Sequence, residues 1–199
     1  MGSLFTIGCS IHKTDDFIDI LKNYNINVIA DVRSVPFSKY TPQFNQNVIK
    51  QNLNNNNIHY LFFGEEFGAR RKEKESYTNG IVDFKKVIDL PIFKTGIERI
   101  KIGLEKNFNI ALLCTEKRPL DCHRFLLVSN TIHKKLMVKI DHILFNGKII
   151  SQDVLEQQML NELGLSDDLF TTLENRLESA YDILGRKISF NGNEEEHYE

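Results

Sequence analysis

The sequence has little of what marks disordered or membrane-spanning proteins. Its 199 residues include only four prolines and are 41% apolar, a composition typical of a globular protein. No apolar stretch approaches the roughly 20 residues needed to cross a bilayer. The first residues also lack a basic region followed by an apolar segment. We therefore expect no membrane association and no export.

Cysteine is scarce as well, with Cys9, Cys114 and Cys122 the three present. An odd number of cysteines in a chain of this size is a poor basis for a disulfide framework. Free thiols indicate a reducing compartment, so we expect a cytoplasmic protein.

A large excess of charge of either sign is missing. The 25 Lys and Arg residues nearly balance the 27 Asp and Glu residues, which leaves a net charge of −2. Such a chain has no overall attraction to nucleic acid or anionic membranes, so any anion binding must be local. The composition indicates neither a particular cofactor nor an oligomeric state.

Strand-favouring and helix-favouring segments alternate over the first 150 residues. The predicted strands cover 4–7, 28–32, 58–63, 109–114 and 138–145, and predicted helices begin near 14, 45, 96 and 122. This alternation predicts a three-layer α/β/α fold with a mainly parallel sheet of about five strands. Between the third strand and the third helix, residues 64–80 are charged and poor in apolar residues, which predicts a long loop.

Two further helices are predicted at 151–163 and 166–184, ended by Gly164 and Gly185. An apolar stripe on the second helix predicts that it packs on the rest of the protein. The predicted organisation is therefore an α/β core domain at 1–150, a C-terminal helical extension at 151–185 packed on that core, and an acidic, polar and disordered tail at 186–199.

Polar side chains follow three of the predicted strands. In open parallel sheets, ligands bind beyond the carboxyl ends of the strands, where the strand-to-helix loops emerge. Six candidate site residues stand there: Ser10, Asp31, Arg33, Ser34, Cys114 and Glu116. Asp31 and Arg33 are two residues apart on an extended chain and point to the same face, so they could form a structural ion pair or contact a common ligand.

The segment Cys122-His123-Arg124 opens a predicted helix. Free amide groups and the positive end of a helix dipole attract anions and lower the pKa of a thiol. The segment therefore predicts a local anion site, with His123 and Arg124 binding the ligand. Cys122 is the best-placed candidate nucleophile and Cys114 the next, while buried structural cysteines are the alternative.

The residue types present raise two further kinds of site, a metal site and a surface for nucleic acid. The potential metal donors lack the paired spacing of zinc fingers and ribbons, so no metal site is predicted, and His142 is interpreted as a hydrogen-bonded core histidine. A second candidate surface interleaves aromatic and cationic side chains, as surfaces that bind single-stranded nucleic acid do. Its residues are Phe37, Lys39, Tyr40, Arg70 and Arg71.

Seven short segments together resemble a known family, domain of unknown function 488. They are Thr6-Ile7-Gly8-Cys9-Ser10, Asp31-Val32-Arg33-Ser34-Val35-Pro36, Pro42-Gln43-Phe44-Asn45, Phe67-Gly68-Ala69-Arg70-Arg71, Leu113-Cys114-Thr115-Glu116, Cys122-His123-Arg124 and His142-Ile143. The sequence departs from the family pattern at Cys9, where histidine is common, and at Ala69, where glycine is frequent. The resemblance implies the location of the site, and it supplies no reaction.

The leading functional prediction is an enzyme that acts on a phosphate-bearing or other anionic ligand, such as a nucleotide or nucleic acid. In it, Arg33 and Arg124 bind the anion, and Asp31 or Glu116 transfers protons. One alternative is a non-catalytic nucleic-acid-binding or regulatory module. A second alternative is thiol or sulfur transfer through Cys122 or Cys114.

Overall fold

The computed structural model describes residues 1–166 and 170–193. Its strands are Leu4–Gly8 (β1), Val28–Asp31 (β2), His59–Phe62 (β3), Tyr77–Thr78 (β4), Ile81–Val82 (β5), Ile110–Cys114 (β6), Ile140–Ile143 (β7) and Ile149–Ser151 (β8). Six of them form one sheet in the order β3-β2-β6-β1-β7-β8, while β4 and β5 form a separate antiparallel hairpin. Neighbours in the large sheet are parallel except β7 and β8.

The α-helices of the same two ranges are Thr14–Asn23 (α1), Gln46–Asn55 (α2), Gly64–Phe67 (α3), Phe84–Val87 (α4), Pro91–Glu105 (α5), Asn130–Leu136 (α6), Gln152–Glu162 (α7) and Leu173–Ile188 (α8). A π-helical stretch, Arg124–Ser129, leads directly into α6. Among the described residues, none of the helices has both the length and the apolar character that crossing a membrane requires.

Helices cover both faces of the sheet. Ala30 and Leu112 belong to a buried cluster with side chains of α5 and α6, whereas Ile29 and Leu113 belong to a cluster with side chains of α1 and α2. Successive side chains of a strand point to opposite faces, and both faces are buried here, so the central strands are apolar throughout. The predicted three-layer α/β/α fold with a mainly parallel sheet is confirmed.

The large sheet has one strand more than the sequence predicted. The additional strand, β8, lies at the edge and pairs antiparallel with β7 across a turn that contains Gly147. In this turn the N–H of Leu144 donates to the carbonyl of Lys148 over 2.8 Å. Three residues are too few to show the alternation by which a strand is recognised, and β8 was therefore missed.

Residues 64–80 are not one long loop, since α3, a 3₁₀ turn and β4 lie within them. Arg71 is buried and holds this segment together. Its Nη1 donates to the carbonyl oxygens of Glu65 and Glu66, and its Nε and Nη2 donate to the carboxylate of Glu73 over 3.0 and 2.9 Å. The structure of this segment depends on hydrogen bonds of a charged side chain. The pattern of apolar residues, from which helices and strands are predicted, does not show such bonds.

The last helix differs at both ends from its prediction. It begins at Leu173, where Thr172 caps it by accepting the N–H of Asn175, and it continues through Gly185 to Ile188. Gly185 lies inside the helix and packs against Phe84, whose ring would lie 3.3 Å from an added Cβ. Residues 167–169, part of the predicted helix, lie outside the described residues.

Residues 186–193, the first part of the predicted tail, have a defined backbone in the structure. Residues 186–188 complete α8, and the next residues hydrogen-bond to the β4–β5 hairpin. The N–H of Val82 donates to the carbonyl of Phe190 over 3.0 Å, and the N–H of Gly192 donates to the carbonyl of Gly80 over 2.9 Å. Residues 194–199, the rest of the predicted tail, lie outside the described part of the chain.

The two C-terminal helices share a buried cluster with the chain around the π-helical stretch. Leu155 and Met159 of α7 and Tyr181 of α8 lie in this cluster together with Phe125 and Leu126. The division of the chain into a core at 1–150 and an extension at 151–185 stays a prediction.

Candidate functional site at the carboxyl end of the sheet

The ends of β2, β6 and β1 lie side by side in the sheet. Hydrogen bonds continue beyond the strands: the N–H of Cys9 donates to the carbonyl of Cys114, and the N–H of Ser10 donates to that of Thr115, both over 2.8 Å. The three segments predicted to meet at the carboxyl ends of the strands are therefore adjacent, and this edge of the sheet is called the rim.

The backbone at the rim is tightly packed. A Cβ added to Gly8 would lie 2.0 Å from the carbonyl oxygen of Glu116, so only glycine fits there. Two residues later Ser10 has a φ of 40°, a left-handed conformation that is uncommon for residues other than glycine. Strain of this kind is found where the surrounding structure holds a residue in place, often at functional sites.

Asp31 and Arg33 form an ion pair with each other. Arg33 Nη2 lies 2.6 Å from Asp31 Oδ2 and Nε lies 2.9 Å from Oδ1, and the hydroxyl of Tyr60 donates to Oδ2 over 2.8 Å. Burial alone would lower the pKa of Arg33, but the hydrogen bond and the charge of Asp31 outweigh it and raise that pKa. The pair is therefore an internally neutralised group in the wall of the site.

Cys114, Cys122 and His123 form a compact cluster. Their donor atoms all lie within 4.8 Å of one another, and Cys114 Sγ is 3.7 Å from His123 Nδ1. His123 Nε2 lies 3.0 Å from the carbonyl oxygen of Val32. A carbonyl oxygen can only accept, so Nε2 carries a proton, and in the neutral ring the lone pair of Nδ1 faces the sulfur atoms.

The two cysteines of the cluster differ in electrostatic environment. The hydrogen bond with Cys122 and burial raise the pKa of Cys114 well above its usual value. Burial also acts to raise the pKa of Cys122, but the hydrogen bond with Cys114 and the charge of Arg124 outweigh it and lower this pKa. Negative charge in the cluster is therefore favoured on Cys122.

Cys122 stands where a helical segment begins. Its backbone is extended, and its carbonyl accepts the N–H groups of Phe125 and Leu126, both over 3.1 Å. The sequence predicted a helix start here. It did not predict that the first turns would be π-helical.

Arg124 is completely buried, and its guanidinium hydrogen-bonds to backbone. Nη1 donates to the carbonyl of Glu116 over 2.6 Å, while Nε has no hydrogen-bond partner. The two nearby carboxylates are engaged elsewhere, since Asp121 lies near Arg118 and Asp31 pairs with Arg33. Arg124 thus places a positive charge beside the cysteine cluster.

The other predicted site residues differ in their contacts and in their exposure to solvent. The hydroxyl of Ser34 accepts the N–H of Arg70 over 2.9 Å, and the Arg70 guanidinium lies over the ring of Phe190. Tyr40 is 95% exposed. Glu116 is an exposed residue, but neighbouring atoms remove part of the water around its carboxylate, and this desolvation together with the charge of Cys122 raises its pKa.

Two surface pockets lie away from these residues. One is beside β3 and α5, and the other lies between the β4–β5 hairpin, α6 and α8. Neither is lined by a predicted site residue. The chain directly after Cys114, residues 115–118, is exposed.

The chain matches the model of a known family. The model of the family described as "Domain of unknown function DUF488" matches residues 13–130, more than half of the chain. The chain belongs to the DUF488 family. No curated protein matches it. The DUF488 match covers the end of β2 and the whole Cys114–Arg124 segment, whereas the end of β1 with Ser10 and the core residue His142 lie outside the matched span.

Sequence reasoning missed two contacts of this DUF488 site. Tyr60 binds Asp31, and the carbonyl of Val32 fixes the ring of His123. Both contacts join residues on neighbouring strands or on the loops that follow them. The observation that could have indicated them is the strand order, which places β3 next to β2 and β2 next to β6. His142 is the hydrogen-bonded core histidine that was expected, bound to Thr6 and Gln152 over 2.9 Å each.

Proposed function

We propose that this DUF488 protein is an enzyme that acts on a small anionic ligand at the carboxyl end of its sheet, around Cys114, Cys122 and His123. One observation carries the proposal. Three side chains able to act as nucleophiles, bases or ligands have donor atoms within 4.8 Å of one another at the ligand-binding end of a parallel sheet.

The positive charge of Arg124 supports an anionic ligand. A buried guanidinium is normally paired with a carboxylate, as Arg33 is with Asp31. Arg124 instead donates to carbonyl oxygens and keeps one N–H without a partner. The amide groups at the start of the helical segment add to the positive potential in the same place.

The proposed roles follow from position. Cys122, Cys114 and His123 are the candidate groups that act on the ligand, as nucleophiles, bases or metal ligands. Glu116 is exposed beside the cluster and is the candidate proton carrier. Asp31 and Arg33, which the sequence suggested for proton transfer and anion binding, are better suited to positioning the end of β2, because their charges are already satisfied.

The test is a thermal-shift screen of the full chain with inorganic phosphate, sulfate, nucleotides and dicarboxylates, each beside a neutral analogue. A ligand at about 100 times its Kd should raise the unfolding midpoint by about 5 °C or more. The same ligand should slow alkylation of Cys114 and Cys122 more than that of Cys9, an internal control that lies outside the cluster. Uniform protection of all three cysteines, or no response to any anion, would contradict the proposal.

A specific observation also favours the second candidate, a surface for single-stranded nucleic acid. Phe37 and Tyr40 are 64% and 95% exposed, with the exposed Lys39 between them. Bases stack on exposed aromatic rings, and lysine attracts the backbone. Arg71 does not contribute to this surface, because it is buried and bound to Glu73.

Fluorescence anisotropy with a single-stranded RNA oligonucleotide tests this candidate. Loss of one stacked base corresponds to about 1–3 kcal/mol, so Tyr40→Ala should weaken binding at least about fivefold. Phe170→Ala is the matched control, since Phe170 is 96% exposed and lies outside this surface. Equal effects of the two substitutions would exclude Tyr40 as a stacking platform.

A further inference from the structure

We propose that Cys114, Cys122 and His123 bind one zinc ion through their two sulfur atoms and Nδ1, leaving a fourth coordination position for an anionic ligand. The three-residue metal site rests on geometry alone. Only the use of the fourth position rests on the function proposed above.

The distances suit a tetrahedral site. With Zn–S bonds of about 2.3 Å and Zn–N bonds of about 2.0 Å, tetrahedral angles place sulfur and nitrogen about 3.6 Å apart and two sulfurs about 3.8 Å apart. Cys114 Sγ and His123 Nδ1 are 3.7 Å apart, and all three donor atoms lie within 4.8 Å of one another. The ligands could close around an ion with small side-chain movements.

The ring of His123 is already oriented as in a metal site. Histidines that bind metal through one ring nitrogen commonly donate the other N–H to a carbonyl or carboxylate, which fixes the tautomer and the ring plane. Here Nε2 donates to the carbonyl of Val32 over 3.0 Å. Nδ1 is then the free donor and faces Cys114.

The donor types select the metal. Two thiolates and one imidazole suit zinc, whereas magnesium and calcium take oxygen ligands. Cys114 ends β6, and Cys122 lies between the 3₁₀ turn at Pro119–Asp121 and the π-helical stretch, so regular structure flanks both ligands. The three residues are between 1% and 8% exposed, which suits an enclosed ion better than direct attack on a large substrate.

No metal site was predicted from the sequence, because the donors lack the paired spacing of zinc fingers and ribbons. That argument does not apply to this cluster. Zinc fingers and ribbons take pairs of ligands from short loops. In this chain Cys114 meets Cys122 and His123 because the intervening segment, with its 3₁₀ turn at Pro119–Asp121, returns to the end of β6. The proximity is a consequence of the fold and leaves no repeated motif in the sequence.

The charge of the site favours an anion as the fourth ligand. A zinc ion with two thiolates is neutral, and Arg124 adds one positive charge beside it. A bound hydroxide, carboxylate or phosphate would neutralise that charge. Three protein ligands with one open position are the arrangement of catalytic zinc sites, where the ion activates water or polarises a bound oxygen.

Metal content and cobalt spectroscopy test the proposal without an activity assay. The full chain, purified without chelator and dialysed, should contain about one zinc per chain by mass spectrometry. Metal-stripped protein titrated with Co²⁺ should develop the visible bands of a tetrahedral ion and an ultraviolet thiolate-to-cobalt band. Absence of both zinc and the thiolate band would overturn the metal site.

Cys122→Ala and Cys9→Ala form a matched pair, since both cysteines are buried and only Cys122 lies in the cluster. Cys122→Ala should lower the Co²⁺ affinity at least about tenfold, and Cys9→Ala should leave it unchanged. Equal losses would contradict the assignment of ligands. If Cys122→Ala does not fold, the thiolate band of the wild-type protein decides the question.

Anions distinguish the two proposals. Phosphate or a carboxylate that enters the fourth position should shift the visible spectrum of the cobalt protein. A cobalt protein whose spectrum no anion changes would contradict the open position while the metal site stands. A protein that binds anions through Arg124 but takes up neither zinc nor cobalt would refute the metal site and leave the proposed function intact.

Discussion

The guanidinium of Arg33 forms a two-point ion pair with the carboxylate of Asp31, and the two side chains are only 6% and 0% exposed. Removal of one partner from a buried pair leaves the other charge without compensation. The pair therefore fixes the end of β2, beside the carbonyl of Val32 that orients His123.

Asp31→Asn should lower the free energy of unfolding by about 3–5 kcal/mol, because Arg33 would remain buried and charged. Asp121→Asn is the comparison, since Asp121 lies near Arg118 at an exposed position and its loss should change stability by less than about 1 kcal/mol. Urea unfolding of both variants measures the difference. Similar values would show that the Asp31 pair is not buried in solution.

His142 should make the protein sensitive to acid. Burial lowers its pKa to about 3 from 6.5, and the charges of Arg124 and His133 act in the same direction, although the hydrogen bond to Gln152 opposes them. The folded protein therefore keeps this ring neutral, while the unfolded chain takes up a proton below about pH 6.5. Stability is present above that pH and falls as the pH drops from about 6.5 toward 3, by up to about 1.4 kcal/mol per pH unit.

Two measurements check this prediction. The ring signals of His142 in an NMR titration should not move between about pH 7 and about pH 5. His142→Gln should lower stability at neutral pH and flatten its pH dependence, whereas His59→Gln, at an exposed position, should leave the wild-type slope. A ring that titrates near pH 6.5 in the folded protein would contradict the burial of His142.

All three thiols should react slowly in the folded protein. Cys9, Cys114 and Cys122 are 0%, 4% and 1% exposed. Alkylation in native buffer should be at least about a hundredfold slower than in urea, because the reagent must wait for local opening. Because Cys122 is the best-placed candidate nucleophile, it should still be labelled faster than Cys9, and quantitative peptide mass spectrometry tests that difference. Rapid native labelling of Cys122 would mean that the start of the π-helical segment opens readily.

The fold was predictable because the central strands are apolar throughout and alternate with helices, which leaves few arrangements other than a parallel sheet covered on both faces. The predicted position of the candidate site rests on the same topology, since the ends of parallel strands share one edge. What the sequence could not provide was the direction of each side chain. That Arg124 is buried against carbonyl oxygens while Arg33 pairs with Asp31 depends on packing between segments far apart in the chain.

Arg124 carries the electrostatic part of the proposed function. Arg124→Gln removes the charge beside the cluster, so it should weaken binding of an anion at least about tenfold, or about 1.4 kcal/mol. It should also cost about 1–3 kcal/mol in stability, because the side chain is completely buried and donates to the carbonyl of Glu116.

Isothermal titration with the best anion from the thermal-shift screen measures this effect on the folded protein. Arg124→Lys keeps the charge without the planar donor geometry and should bind with intermediate affinity. Arg118→Gln is the matched control, because Arg118 is nearly half exposed and pairs with Glu162. Wild-type affinity in folded Arg124→Gln would show that Arg124 only supports the backbone. The anionic ligand would then lose its main argument, since the Arg33 charge is already neutralised by Asp31.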